Sequence, residues 1–304
     1  MPSKLLIAAA ESAYAVERGH LFGIQTSGYV VNGEEVLDRV RRERDNFVAS
    51  VLKSVEDIPE AHKLQGFARF VEPWMLMVGD NVQVNADRII LATGASPHVP
   101  DELSLLGNRL LVNDNIFELK TLPASIAVFG CGVVGLELGQ ALSRLGVRVR
   151  MFGRSGSLGG IVDPEIKQYA GQVFNDEFYL DTRAEVKDLS PGEDGVHITF
   201  VHREKGEVTK PFDYVLAATG RRPNLSHLAL ENSGLSLDER DVPVTDASTL
   251  QCGDSPVFLV GDANNRAPFL HEAANEGRVA GDNAGRFPQR GGGSTPDAFS
   301  HRIQ

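Results

Sequence analysis

Cysteine is nearly absent from this 304-residue chain: Cys131 and Cys252 are the only two, and they lie far apart. Such a pair makes neither a disulfide framework nor a zinc spacing, and it points to a reducing, cytoplasmic setting. No metal site is expected, because His98, His202, His227 and His271 are not spaced as ligands. Long apolar runs are missing as well. The run Leu5–Ala10 is too short for a secretory signal, Glu11 interrupts it, and no stretch reaches membrane-spanning length. A basic excess is also lacking. With 30 Lys+Arg against 41 Asp+Glu the net charge is −11, which argues against nucleic acid or an anionic membrane as partner. Arg39, Arg41, Arg42 and Arg44 do cluster, but Asp38, Glu43 and Asp45 interleave with them, as on a solvated helix face. What is present is 42% hydrophobic residues, enough for two domains with cores.

The densest signal is SIAVFGCGVVGLELGQALSRLGVRVRMFGR, Ser125 to Arg154. Ile126–Phe129 is an apolar run suited to a buried parallel strand. Gly130, Gly132 and Gly135 then form a GxGxxG turn, with Val133 and Val134 between the last two. In a dinucleotide-binding βαβ unit the first glycine permits the turn, the second admits a pyrophosphate, and the third lets helix and strand pack closely. Val134, Leu138, Ala141, Leu142 and Leu145 recur at helical spacing, Gly146 ends the helix, and Val147, Val149 and Met151 open a second strand.

The end of that second strand selects the nicotinamide cofactor. An acidic residue there accepts from the ribose 2′-hydroxyl of NAD. This chain has Gly153, then Arg154 and Ser155, so no carboxylate repels a 2′-phosphate and Arg154 offers it a charge-assisted bond. NADP(H) is therefore favoured over NAD(H).

Elsewhere the periodicity predicts a helix over 3–19, with Leu5, Leu6, Ala9, Ala13 and Val16 inward and Gly19 as its stop. A second is predicted over 33–55, with Val36, Val40, Phe47, Val48 and Val51 inward. Short strands follow between 63 and 91, then at 195–202, 212–219 and after Pro256, with a helix from about Leu270 to Ala284 and an aperiodic, disordered tail over 287–304. RIILATG (Arg88–Gly94) and YVLAATG (Tyr214–Gly220) resemble each other. Strand ends of this kind face ligands in open α/β sheets, which suggests two nucleotide domains.

Taken in order, MPSK at the start, GFARF, ILATG, GCGVVGLELG, ATGRRPN, and VGDAN with LHEAANEG resemble the pyridine nucleotide–disulfide oxidoreductases, flavoenzymes that include dihydrolipoamide dehydrogenase and glutathione reductase. The resemblance implies an α/β fold of two Rossmann-like domains, the NAD(P) domain inserted in a partial FAD domain. The expected division is 1–118 (partial FAD domain), 119–246 (NAD(P) domain), 247–286 (return of the FAD domain) and 287–304 (tail). It further implies that the family's redox Cys-x4-Cys lies immediately before MPSK, and its His-Glu pair beyond the last residue. The chain would then be a fragment, or start at an internal methionine, with an exposed edge where the FAD domain lacks its first strand.

Residue by residue, the resemblance pairs Lys4 with Glu137 beside the flavin. It puts Asp262 on the ribityl chain, Leu270, His271 and Ala273 at backbone near the flavin, Ala68 at the adenine of FAD, Thr93 and Gly94 near the diphosphate, and Gly220 beside the nicotinamide. Arg221 and Arg222 are read as structural or solvated, and Cys131 as a packing residue. The implied activity carries hydride between NAD(P)H and a small-molecule or protein-bound disulfide or dithiol through FAD, in a homodimer. The overall likeness favours dihydrolipoamide dehydrogenase while the Gly153–Arg154 loop looks more like glutathione reductase, so the thiol substrate stays open. For these 304 residues, two other readings stand beside it: a non-catalytic NADP(H)-binding module, and a diaphorase-type flavin reductase.

Overall fold

The computed structural model describes residues 2–266 and 268–288. From residue 289 on, the expected disordered tail lies outside the described residues. In chain order the elements are α1 (Pro2–Glu17), α2 (Gly33–Glu56), β1 (Ala68–Glu72), β2 (Met75–Val78), β3 (Val82–Asn85), β4 (Ile89–Leu91), β5 (Ala95–Pro97), α3 (Asp101–Ser104) and β6 (Leu110–Leu111). Then come β7 (Ser125–Phe129), α4 (Val133–Arg144), β8 (Arg148–Phe152), α5 (Pro164–Glu177), β9 (Tyr179–Asp181), β10 (Val186–Gly192), β11 (Gly195–His202), β12 (Gly206–Phe212) and β13 (Tyr214–Ala217). β14 (Arg221–Pro223), β15 (Val257–Leu259) and α6 (Leu270–Arg286) complete the chain.

Two compact units emerge, residues 1–57 with 97–220, and residues 58–96 with 221–304. The first is built on a parallel sheet of order β6-β13-β7-β8-β9. Its strands are apolar on both faces. Ile126, Val128, Val149 and Met151 pack with helix residues such as Leu6, Val40, Leu138 and Leu142. Ala127, Phe152 and Val215 face Val196, Ile198, Phe200 and Phe212 of the β10-β11-β12 meander. Each fully buried Leu or Phe of these layers contributes about 1.5–3 kcal/mol.

The grouping of 1–57 with this unit departs from the expected break at 118. The reason is packing: α1 lies along α4, burying Leu6, Ala10 and Ala13 in the same core as Leu138, Ala141 and Leu142. Ion pairs Lys4–Glu137 and Glu11–Arg144 join the two helices with the same sequence offset, so they run parallel. Gly19 does not stop α1. The helix tightens into a 3₁₀ turn over Arg18–Phe22, and Gly23, at φ +76°, ends it by donating to Gly19 and His20 carbonyls. In α2, Asn32 caps Glu35 N–H and Leu37 and Val40 are buried. Its second half departs from expectation, since Phe47, Val48 and Val51 stay exposed.

The second unit holds the antiparallel sheet β1-β2-β3 and the parallel pair β4–β15, while β5 pairs with β14. Bonds from Cys252 N–H to Val257 O and Leu259 N–H to Leu250 O cover one side of β15. β4 is left as the edge, with Ile90 at its centre 42% exposed. α6 packs Val279, Ala280 and Ala284 against Leu250, Phe258 and Val260. Among the described residues no helix is long and apolar enough to cross a membrane, and no group of three or more His, Cys, Asp or Glu is arranged around a metal.

Candidate functional site

In the first unit the fingerprint glycines occupy three different environments. Gly130 follows β7 at φ +112°, and a Cβ there would stand 2.2 Å from the Ala218 carbonyl oxygen. At Gly135 a Cβ would stand 2.1 Å from the Gly130 carbonyl oxygen. At Gly132 a Cβ would meet nothing within 4 Å. Two glycines are thus required by packing, and the third opens onto free space at the start of α4. That helix start has no side-chain cap, so the first-turn N–H groups, Val133, Val134 and Gly135 among them, remain available to an anion. The residues present therefore fit a dinucleotide pyrophosphate.

The structure places Lys4, Glu137, Arg154, Ser155 and Gly220 in the same unit as this turn. Lys4 Nζ donates to Glu137 Oε1 at 2.5 Å, with side chains 67% and 29% exposed. α1 presents Lys4 and α4 presents Glu137, so the packing that groups residues 1–57 with the parallel sheet also makes this contact. Arg154 and Ser155 are exposed just past β8. Gly220 sits at φ +110°, and its carbonyl accepts from His98 N–H at 2.9 Å.

The other expected residues belong to the second unit. Ala68 opens β1. Thr93 and Gly94 follow β4, and Gly94 adopts φ +67° with open space where a Cβ would be. Asn224, not singled out from sequence, holds this turn: its side-chain amide donates to Thr93 O at 3.0 Å and its N–H to Gly94 O at 2.9 Å. Asp262 lies in a short 3₁₀ turn after β15, 3.8 Å from Arg221 Nε. Arg221 also donates to Ala95 O. Leu270, His271 and Ala273 start α6, which lacks a side-chain cap; the His271 ring stacks on Phe269 at 5.6 Å.

A buried carboxylate beneath the Asp262 turn escaped the sequence reading. Glu276 is 6% exposed, and its Oε2 accepts from Gly261 N–H at 2.6 Å and Asn264 Nδ2 at 2.8 Å. Its place in LHEAANEG gave no periodic or spacing signal. Both thiols are buried. Burial and the nearby Asp181 charge push Cys131 up to about 11, and burial pushes Cys252 up to about 12. Neither supplies a thiolate at neutral pH.

The profile of the family described as pyridine nucleotide-disulphide oxidoreductase matches residues 1–277. The chain belongs to the pyridine nucleotide–disulphide oxidoreductases. Among members of this family, it is 31% identical over 292 residues to dihydrolipoyl dehydrogenase 3 of Pseudomonas aeruginosa, covering 92% of this chain and 61% of that one. It is 27% identical to dihydrolipoyl dehydrogenase of Chlamydia pneumoniae, covering 93% and 60%. A solved structure of the HOCl-induced flavoprotein disulfide reductase RclA from Escherichia coli superposes with a TM-score of 0.77 at 21% identity, over 97% of this chain and 62% of that one; this likeness shows the fold. The chain thus spans about 60% of the length of these oxidoreductases.

Proposed function

We propose that these residues form the nucleotide-handling part of an FAD-dependent NAD(P)H–disulfide oxidoreductase of the dihydrolipoyl dehydrogenase kind. The observation that carries this reading is the open space at Gly132, flanked by two glycines that packing forbids to change. Bound flavin would supply the relay between nicotinamide hydride and a disulfide. The chain's own residues bind and orient. Gly130, Gly132, Val133, Val134 and Gly135 cradle the pyridine dinucleotide pyrophosphate, and Gly220 lies beside the nicotinamide. Lys4, held by Glu137, presents its ammonium to the flavin. Ala68, Thr93, Gly94, Asp262, Leu270, His271 and Ala273 hold FAD, with the Asp262 turn kept in shape by Glu276. NADP(H) is preferred over NAD(H) through Arg154. The substrate is a small-molecule or protein-bound disulfide or dithiol, and the working protein is a cytoplasmic homodimer.

A second reading, an NADP(H)-binding module without turnover, is favoured by one observation: these residues contribute two buried, protonated thiols and no reactive pair. Visible absorbance of the purified protein separates the two. Flavin colour bleached by NADPH under anaerobic conditions, and restored neither by disulfides nor by quinones, supports the nucleotide-handling part of the oxidoreductase, because these residues supply no reactive cysteine pair. A colourless protein that binds NADPH supports the module. Flavin colour restored by quinones or dyes, with disulfides inert, supports the diaphorase reading.

A further inference from the structure

In a dinucleotide βαβ unit the adenosine ribose lies at the carboxyl end of the second strand, here β8. The residue next to that end is Gly153, and it has no room for a side chain. A Cβ would stand 2.7 Å from Thr182 O, 2.8 Å from Thr182 Cα and 2.8 Å from Cys131 Sγ. The chain past β9 causes this crowding, because it is fastened to the β8 loop. Gly153 N–H donates to Asp181 O at 2.6 Å, Gly156 N–H to Thr182 O at 2.8 Å, and Ala184 N–H to Gly153 O at 2.9 Å.

The same fastening brings Arg183 over the loop. Its Nε, Cζ and Nη2 lie 2.6, 2.9 and 2.9 Å from the point a Gly156 Cβ would occupy, so the guanidinium rests on bare backbone at φ +79°. Among the described residues neither the Arg183 nor the Arg154 guanidinium has a hydrogen bond or ion pair. A cavity of about 720 Å³ opens beside Arg183, lined in part by Gly156, Thr182, Lys167, Arg183 and Arg203, with Glu204 as its one carboxylate. It is a cationic recess on a chain of net charge −11. The acid that ends β9, Asp181, is engaged: its Oδ1 accepts from Arg183 N–H at 3.0 Å and Arg203 stands 3.7 Å away.

We infer that Arg183 reads the 2′-phosphate of NADP(H), closing on it from the β9 side while Arg154 closes from the β8 side. The inference rests on the NADP(H) preference proposed above and assigns it to a second residue, one that follows a different strand. Two guanidinium forks on one phosphate give bidentate, charge-assisted recognition that one exposed arginine cannot. Gly153 completes the device by excluding any carboxylate from the position beside the ribose.

The test is calorimetric titration of the full chain with adenosine 2′,5′-bisphosphate and with adenosine 5′-monophosphate, which differ only by the 2′-phosphate. The wild-type chain should prefer the bisphosphate. R183Q should lower that preference about tenfold or more and leave the monophosphate affinity unchanged; R183K should retain part of it. Arg183 is exposed, so R183Q should melt with the wild type. If R183Q keeps the full preference while R154Q loses it, Arg154 acts alone and this inference is overturned, with the NADP(H) reading intact. If the wild-type chain shows no preference, or D181N abolishes a preference for the monophosphate, the NADP(H) reading falls and this inference falls with it.

Discussion

Replacing Gly135 by alanine and Gly132 by alanine should separate folding from binding. At Gly135 the new methyl would stand 2.1 Å from the Gly130 carbonyl oxygen and 3.2 Å from Ala218 Cβ. The blocking atom is backbone at the end of β7, so α4 must shift off the sheet, against the buried Leu138 and Leu142. Overpacking of this kind costs about 1–3 kcal/mol, and a clash with backbone belongs at the top of that range. Alanine returns about 0.8–1 kcal/mol of helix propensity, which leaves a net loss of about 2 kcal/mol. For a unit of this size that lowers Tm by about 4–8 °C. At Gly132 the methyl meets nothing within 4 Å, and φ is −76°, open to any residue. There the cost is the weaker N-cap, under about 1 kcal/mol. The methyl fills the space proposed for pyrophosphate, however, so NADPH affinity should fall more than about tenfold. Thermal melts and NADPH fluorescence titration of both variants decide the matter. G132A that binds like the wild type, or G135A that melts with it, would refute the division of roles among the glycines.

Three further outcomes follow from contacts already described. E137Q removes an ion pair whose lysine is 67% exposed, so stability should change by less than about 1 kcal/mol, while a shifted flavin absorbance spectrum would mark the pair's electronic role; an unchanged spectrum in a flavin-loaded sample would leave it structural. E276A strands the Gly261 N–H and the Asn264 amide in the interior; at about 1–3 kcal/mol per unpaired donor the second unit should lose roughly 2–6 kcal/mol in urea titration, with E276Q recovering most of it through its amide oxygen. The pH dependence follows from the cysteines. Cys131 rises from 9.0 to about 11 and Cys252 from 9.0 to about 12 in the folded state. The folded chain therefore binds these protons more tightly than the unfolded chain, and their contribution is complete below pH 9 and lost as pH rises toward 11 and 12. C131A with C252A should flatten the alkaline limb of a stability–pH curve, and wild-type thiols should resist alkylation at pH 8 until denaturant is added.

Local features were legible and distant ones were not. The βαβ unit reads directly from sequence because its strand, turn, helix and second strand are contiguous, although Gly130 is required by Ala218, which lies far along the chain. Periodicity identified one face of α2 from Val36 to Val51 but not whether anything covers it: Val40 is buried at 0% exposure, and Val51 is 64% exposed. A stripe records an apolar face, and coverage depends on partners that the stripe does not encode. Compactness failed for the same reason. α1 precedes β1 in sequence, yet it buries Leu6, Ala10 and Ala13 against α4, more than a hundred positions away, and no composition shift marks that choice.

Gly153 shows what such distance hides. In sequence it is a missing carboxylate, and a missing carboxylate argues for NADP(H) only by default. In the fold its absence of side chain is enforced by Thr182, which follows a different strand, through hydrogen bonds that also deliver Arg183 to the same loop. The two facts are therefore one: the backbone pairing that forbids a side chain at Gly153 is the pairing that brings Arg183 to the loop. It follows that the proposed preference for NADP(H) would not be reversed at Gly153, the position where sequence comparison would look for it. G153E should fail to fold rather than switch the chain to NADH. Loss of the proposed 2′-phosphate preference should instead require changes at Arg154 and Arg183, which are both exposed and whose replacement leaves the core untouched.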